Sequence, residues 1–334
     1  MLSVLNILVV QSVGVIATPA LVLSNRYLLK TQECAAFLAL LHNLAACIIF
    51  SRQACATKRP ETLPFLWPAA VSCAGALSIW ASNAVLQQTS VSFHQLCKVF
   101  TIPCGAIVDK LVFGIRRTAV EVCFHIFVVV GALIIIEDID LNQGRVGTRS
   151  LLLALVFVST SVSVAALNRY ASTHYGVVAI RLVGLLIPYG VVAAAIIYTV
   201  VESINDSPIQ RFIQVLFDFC FQYPRMLLLN VSLACLVQFL STWSSTVSST
   251  TLYAILSQVK VLLAIISSTL IEGERLRVRT LTGACIVLIS ATGATSAEII
   301  QMGQKKSKVI LIALFLTSVT IVWCDETDVI WNPA

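Results

Sequence analysis

The run Val177–Val201 reads VVAIRLVGLLIPYGVVAAAIIYTVV, and Arg181 is its single charged residue. A helix needs about 20 mostly apolar residues to cross the hydrocarbon core of a bilayer, so this run predicts a membrane-spanning helix. Similar runs recur along the chain, which is 58% hydrophobic and 11% charged. Soluble domains carry about 25% charged residues, because they need a polar exterior. The sequence therefore predicts an all-α integral membrane protein whose main solvent is the lipid bilayer.

Ten apolar runs qualify as predicted spans, separated mostly by polar or charged residues. No basic residue precedes the first run, which favours a membrane helix over a cleaved signal peptide. A further run, Val309–Trp323, is short for a span, and its role stays open. The ten predicted spans are Leu8–Leu29, Ala35–Phe50, Pro64–Leu86, Val91–Phe113, Val120–Ile136, Leu151–Tyr170, Val177–Val201, Met226–Trp243, Thr251–Ile271 and Leu281–Ile300.

Short matching segments link the two halves of the chain. The matches are Asn25–Tyr27 with Asn168–Tyr170, Ser78–Ser82 with Ser241–Ser245, and Lys98 with Lys260. Each repeat crosses the membrane an odd number of times, five. The two halves must therefore enter the membrane from opposite sides, as in many secondary transporters. We therefore predict two inverted five-helix repeats, 1–140 and 141–304, followed by a basic C-terminal segment, 305–334. Chance similarity between apolar segments is the alternative.

Three cations lie inside predicted spans: Lys98, Lys260 and Arg181. A lysine at the centre of a membrane helix costs about 2.5–3.5 kcal/mol on insertion scales. The nearest acids, such as Asp109 and Glu121, lie close to span ends. A water-filled cavity that receives an anion is the simplest way to offset the cost, and phosphate suits lysine well. Snorkelling to the membrane surface is the alternative, and it has most weight for Arg181.

Polar side chains near the lysines extend this candidate site. Asn83 lies in the third predicted span, and His94 precedes Lys98 by one helical turn. Tyr253 and Ser257 lie in the ninth span, on the N-terminal side of Lys260. These groups could bind sugar hydroxyls or a base. Helix–helix packing is the alternative role for each of them.

The sequence gives little support for catalysis or metal binding. The four histidines form no H-E-x-x-H motif, and neither G-x-S-x-G nor a phosphate-binding P-loop occurs. The 11 cysteines are never spaced C-x-x-C, so neither a zinc site nor a redox pair is expected. We expect no enzyme, cofactor or nucleic-acid partner. Transport would then depend on a gradient or on exchange.

Two motifs resemble a known family. Asn83-x-x-Leu86 followed by Ser90–Lys98 resembles the fourth-helix signature of the triose-phosphate translocator and nucleotide-sugar transporter branch of the drug/metabolite transporter superfamily. Thr250–Lys260 followed by Glu272–Glu274 resembles its ninth-helix signature. The resemblance implies ten helices in two inverted repeats with cytosolic termini. It also implies that the two lysines bind phosphate.

This resemblance implies exchange of a nucleotide sugar for a nucleoside monophosphate, or of a sugar phosphate for phosphate. Val261 follows the second lysine where sugar-phosphate members tend to carry arginine, which favours a nucleotide sugar, with a UDP-sugar as first choice. The seventh span reads Gly184–Pro188 where relatives supply polar contacts, so the base is not identified. The expected location is the Golgi or endoplasmic reticulum membrane, and a homodimer stays open. The alternatives are a sugar-phosphate or other organic-anion antiporter, and a non-transporting membrane protein.

Overall fold

A computed structural model describes residues 2–32, 34–50, 52, 64–114, 118–136, 147–202, 208–247, 260–261, 263–264, 267, 282–290 and 293. These residues are helical apart from short connections, and none of them lies in a strand. Residues 282–290 form a helical segment near the end of the described chain. The longer helices are α1 Leu2–Thr31, α2 Ala35–Ile49, α3 Trp67–Gln88, α4 Val91–Phe113, α5 Ala119–Ile136, α6 Thr148–Tyr175, α7 Ala179–Glu202, α8 Pro208–Gln222 and α9 Pro224–Val247.

Four of the described helices are long and apolar enough to cross a membrane. Their outward surfaces keep large apolar side chains exposed, among them Leu155, Ile196 and Leu228, as expected for contact with lipid. The predicted class of fold, an all-α membrane protein, is confirmed. The count of ten spans and the inverted repeats stay predictions. The four helices are Trp67–Gln88, Thr148–Tyr175, Ala179–Val201 and Pro224–Trp243.

Local sequence explains where several helices begin and end. The Ser90 hydroxyl accepts a hydrogen bond from the Phe93 backbone N–H (3.1 Å) and thereby caps α4. At the other end, Gly114 adopts a left-handed conformation (φ 66°), which glycine takes without a steric penalty. Thr118 and Glu121 form a reciprocal capping box that starts α5. These caps define both ends of α4 and the start of α5.

Helix α3 occupies the middle of the described bundle. It packs most extensively on α6 and α7 and also contacts α1, α2 and α4, while α1 packs on α9. Close approaches use small residues: a Cβ added at Gly131 would lie 2.8 Å from the Gly283 carbonyl oxygen, and one at Gly190 would lie 2.9 Å from Asn43 Oδ1. A larger side chain at Gly131 would push the helices apart, because it would meet backbone, whereas one at Gly190 would displace the Asn43 side chain.

Helix α8 has no counterpart among the predicted spans. One face packs on the bundle, where Phe219 is fully buried and its ring lies 5.9 Å from that of Phe37. The other face exposes Ile209, Ile213 and Phe217. A search for continuous apolar runs overlooks such a helix, because its apolar residues alternate with polar ones at helical spacing.

Candidate functional site

A cavity of about 350 Å³ lies between α1, α2, α3, α4, α6, α7 and α9. Helices from both predicted halves thus contribute to one space. Apolar side chains such as Leu21 and Phe157 form part of the wall, and a dense set of polar groups forms the rest. The polar lining residues are Thr18, Asn25, His42, Asn43, Ser72, Ser78, Ser82, Asn83, His94, Lys98, Ser161, Asn168, Gln238, Ser241 and Thr242.

Lys98 lies two helical turns into α4 and lines this cavity. Within the described ranges, no acidic side chain forms an ion pair with it. Three acids lie close to the ends of predicted spans, namely Asp109, Glu121 and Glu298. Glu298 lies outside the described residues, and the other two bind other groups. Asp109 lies 3.0 Å from Arg169, and the Glu121 carboxylate accepts a hydrogen bond from the Thr118 backbone N–H at 2.8 Å. The Lys98 ammonium therefore faces a polar space instead of a described carboxylate.

Lys260 lies against α1. A Cβ added at Gly14 would be 3.2 Å from Lys260 Nζ and 3.5 Å from its Cε, so the missing side chain at Gly14 leaves room for this lysine. Gly14 lies one helical turn before Thr18, which lines the cavity, so the Lys260 ammonium lies near the space that Lys98 faces. The other predicted ligands from the same span, Tyr253 and Ser257, lie outside the described residues.

The structure brings Asn83 and His94 to the cavity beside Lys98. His94 Nε2 lies 2.8 Å from the Ser82 hydroxyl, and its ring stacks on Phe157 with centroids 5.6 Å apart. Asn83 Nδ2 and His94 Nδ1 are buried and have no hydrogen-bond partner in the described part of the chain. Buried polar atoms normally have a partner, so these two atoms call for a ligand or a water molecule.

A network of amide side chains, which the sequence did not predict, lies next to the cavity. Asn230 Nδ2 donates to Asn25 Oδ1 at 2.6 Å, and Asn25 Nδ2 donates to Asn83 Oδ1 at 3.1 Å. His42 Nε2 lies 2.7 Å from Asn230 Oδ1 and extends the chain of contacts to α2. Such a network rigidifies a site when its members are satisfied. It positions the Asn83 amide at the wall.

Asn168 is a second overlooked residue. It lines the cavity and is 4% exposed, and its Oδ1 has no hydrogen-bond partner among the described residues. Asn25 and Asn168 occupy matching positions in the repeated Asn-Arg-Tyr segments. The repeat itself was therefore the signal that could have identified both asparagines as cavity residues.

Arg181 does not reach the cavity. Helix α7 begins at Ala179, so Arg181 lies in the first turn, and its side chain is exposed. The predicted span begins earlier, at Val177, which made the residue look deeper than it is. Of the predicted site residues, the structure brings together Lys98, Asn83 and His94, but it leaves Arg181 outside the cavity.

The cavity wall combines an ammonium group with amides, hydroxyls and imidazoles. These groups suit an anion that also carries hydroxyl groups. The described residues contain no group of three or more His, Cys, Asp or Glu side chains that could hold a metal ion. No protein-family model matches this chain, and no curated protein matches it in sequence. The family resemblance therefore depends on sequence motifs alone: the two lysine motifs and Asp138–Gly144, which resembles the loop between the halves.

Proposed function

We propose that this chain is a membrane antiporter that exchanges a nucleotide sugar, with a UDP-sugar as first choice, for a nucleoside monophosphate across the Golgi or endoplasmic reticulum membrane. One observation carries the proposal: Lys98 lines a polar cavity within a helical membrane bundle, and no described acid neutralises it. A charge in that position is costly. A phosphate group that enters the cavity would offset the cost.

Several groups next to Lys98 favour a phosphate that carries a sugar. The partnerless Asn83 and Asn168 amide atoms can meet hydroxyl groups, and Lys260, which lies against α1 at Gly14, adds a second positive charge near the cavity. A diphosphate needs more than one cation, whereas hydroxyl recognition needs neutral donors and acceptors. The mixture of charged and neutral polar groups supports a glycosylated phosphate over a simple inorganic anion.

The packing pattern supports alternating access. If the halves correspond as predicted, α1, α2 and α3 match α6, α7 and α9. The contact between α1 and α9 is then the counterpart of the contact between α6 and α3. The packing of α4 on α6 likewise matches the approach of Lys260 to Gly14 in α1. A cavity between two such halves suits a mechanism in which they rock about a shared site.

The small cavity volume also supports a second candidate cargo, a sugar phosphate. About 350 Å³ is near the lower end of the range for small-molecule sites, roughly 300–1,000 Å³. A sugar phosphate exchanged for inorganic phosphate fits this space with less opening than a nucleotide sugar needs. Val261 after the second lysine favours the nucleotide sugar, and the small volume favours the sugar phosphate.

Counterflow in proteoliposomes distinguishes the two cargoes. Vesicles containing the purified chain are preloaded with UMP, GMP or inorganic phosphate, and uptake of labelled UDP-sugars, GDP-sugars and sugar phosphates is measured. Stimulation of UDP-sugar uptake by internal UMP supports the proposal. Stimulation by phosphate alone assigns the sugar-phosphate exchange. No stimulated uptake with any pair would favour a non-transporting membrane protein.

A further inference from the structure

A groove of about 780 Å³ lies between α4 and α5, away from the cavity described above. Its walls are apolar, and Ile107 and Ile126 remain 59% and 57% exposed there. Among the described lining residues, Lys110 and His125 are the two with polar side chains. The two helices form a hairpin with α4 ending at Phe113 and α5 starting at Ala119. The groove thus lies along an outer seam of the bundle.

The polar groups are gathered at one end of this groove. Lys110 is in the last turn of α4, and His125 is in the second turn of α5, so both lie near the connection between the helices. The apolar end, at Pro103, lies about 10 Å farther along α4 at 1.5 Å per residue. The groove is therefore amphipathic along its length.

Neighbouring acids do not neutralise the cationic end. Within the described residues, Lys110 forms no ion pair. Glu121 is 1% exposed, and its carboxylate accepts the Thr118 backbone N–H at the start of α5. His125 Nδ1 lies 2.6 Å from the Glu121 carbonyl oxygen, which holds the ring against its own helix and makes it part of the wall.

We propose that this groove binds an anionic glycerophospholipid, with its phosphate on Lys110 and an acyl chain along the apolar walls. Basic pockets between membrane helices commonly bind anionic headgroups. A soluble phosphate would gain nothing from the apolar walls, and a zwitterionic lipid would gain less from the lysine. A lipid that is both apolar and anionic matches both ends. The site is independent of the proposed transport function, because it lies outside the cavity.

Native mass spectrometry of the purified full chain tests this assignment. Phosphatidylglycerol and phosphatidylcholine with identical acyl chains are added in equal amounts, and the bound lipid is counted. We expect phosphatidylglycerol adducts to exceed phosphatidylcholine adducts at least fivefold. Lys110→Ala should remove this preference, whereas Lys110→Arg should keep it. Arg225→Ala, which removes an exposed cation on α9, is the matched control and should change nothing.

Ala106→Trp provides a second test that leaves every charge in place. The indole fills the groove, so retention of phosphatidylglycerol should fall at least fivefold while Lys110 is intact. Equal binding of the two lipids, or equal loss in Lys110→Ala and Arg225→Ala, overturns the proposal. Displacement of the lipid by millimolar inorganic phosphate would show a soluble-anion site. If the chain forms a dimer and Ala106→Trp dissociates it, a second copy covers the groove. Displacement by phosphate and dissociation of a dimer would each overturn the lipid proposal.

Discussion

Arg169 and Lys98 are both basic residues inside helices of the bundle, yet their surroundings differ. The Arg169 guanidinium lies 3.0 Å from Asp109 and 4.9 Å from the centre of the Phe113 ring. Lys98 faces a polar cavity, and no acidic residue in the described ranges pairs with it. Arg169 has the contacts of a residue that joins α6 to α4. The surroundings of Lys98 fit the ligand-binding role that we propose for it.

Within one bundle, Arg169 is thus a paired charge, and Lys98 is a charge without an ion pair among the described residues. The Asp109 and Arg169 side chains are 5% and 25% exposed, so the pair is partly shielded from solvent. Removing one member of a shielded pair harms stability, because the other is left without its counter-charge. Removing an uncompensated cation has the opposite tendency, since it takes a costly charge out of the interior. Substitutions at the two positions should therefore affect different measurements.

Lys98→Ala should have the largest effect on exchange. We expect uptake in proteoliposomes to fall at least 100-fold, because the substrate phosphate loses its cation in the cavity. The unfolding temperature in detergent should stay the same or rise. Uptake within twofold of that of the unmodified protein would show that Lys98 does not bind the substrate phosphate.

Lys260→Ala should come next and should also abolish most exchange. The second cation near Lys98 is lost, so we expect uptake to fall at least tenfold with folding intact. Size-exclusion profiles and thermal unfolding provide the folding check. Undiminished uptake would show that Lys260 only packs against Gly14.

Asn168→Ala should weaken exchange moderately. Its buried Oδ1 is expected to accept a hydrogen bond from the substrate, and a single such bond contributes about 0.5–1.5 kcal/mol. The substrate concentration at half-maximal uptake should rise about threefold to tenfold. Thr173→Ala, at an exposed position on the same helix, is the matched control. Equal effects of the two substitutions would argue against substrate contact.

Asp109→Asn should have the smallest effect on exchange and a clear effect on stability. Breaking a fully buried pair costs about 3–5 kcal/mol. Since Arg169 is 25% exposed, solvent screening lowers our expectation to about 1–3 kcal/mol. Thermal unfolding measures this change, and Asp218→Asn near the α8 surface is the control. Uptake should stay within twofold of that of the unmodified protein. A tenfold loss of uptake would indicate that the Asp109–Arg169 pair has a role in exchange.

The sequence was sufficient for those features that depend on local composition. Continuous apolar runs predicted α3, α6, α7 and α9, because crossing a bilayer demands length and low charge. Lys98 was identified by its depth in such a run. Helix α8 was missed, because its apolar residues are periodic and its burial depends on distant contacts such as Phe219 with Phe37.

Other features depend on pairings that a linear sequence does not display. The hydrogen bond between Asn230 and Asn25 joins residues of α9 and α1, and nothing in either segment specifies its partner. Arg181 was misplaced for a different reason. Val177 and Val178 extend the apolar run beyond the helix start at Ala179, so composition alone does not mark that start.

The contact between Gly14 and Lys260 predicts that these two positions change together in homologous proteins. A Cβ at position 14 would lie 3.2 Å from the Lys260 ammonium, so the end of the lysine would have to shift, and a larger side chain would displace it further. Homologous proteins that enlarge residue 14 should shorten or replace the lysine on the opposite helix. Those that keep the lysine should retain glycine. Covariation between positions 14 and 260 would therefore show that α1 must leave room for the lysine.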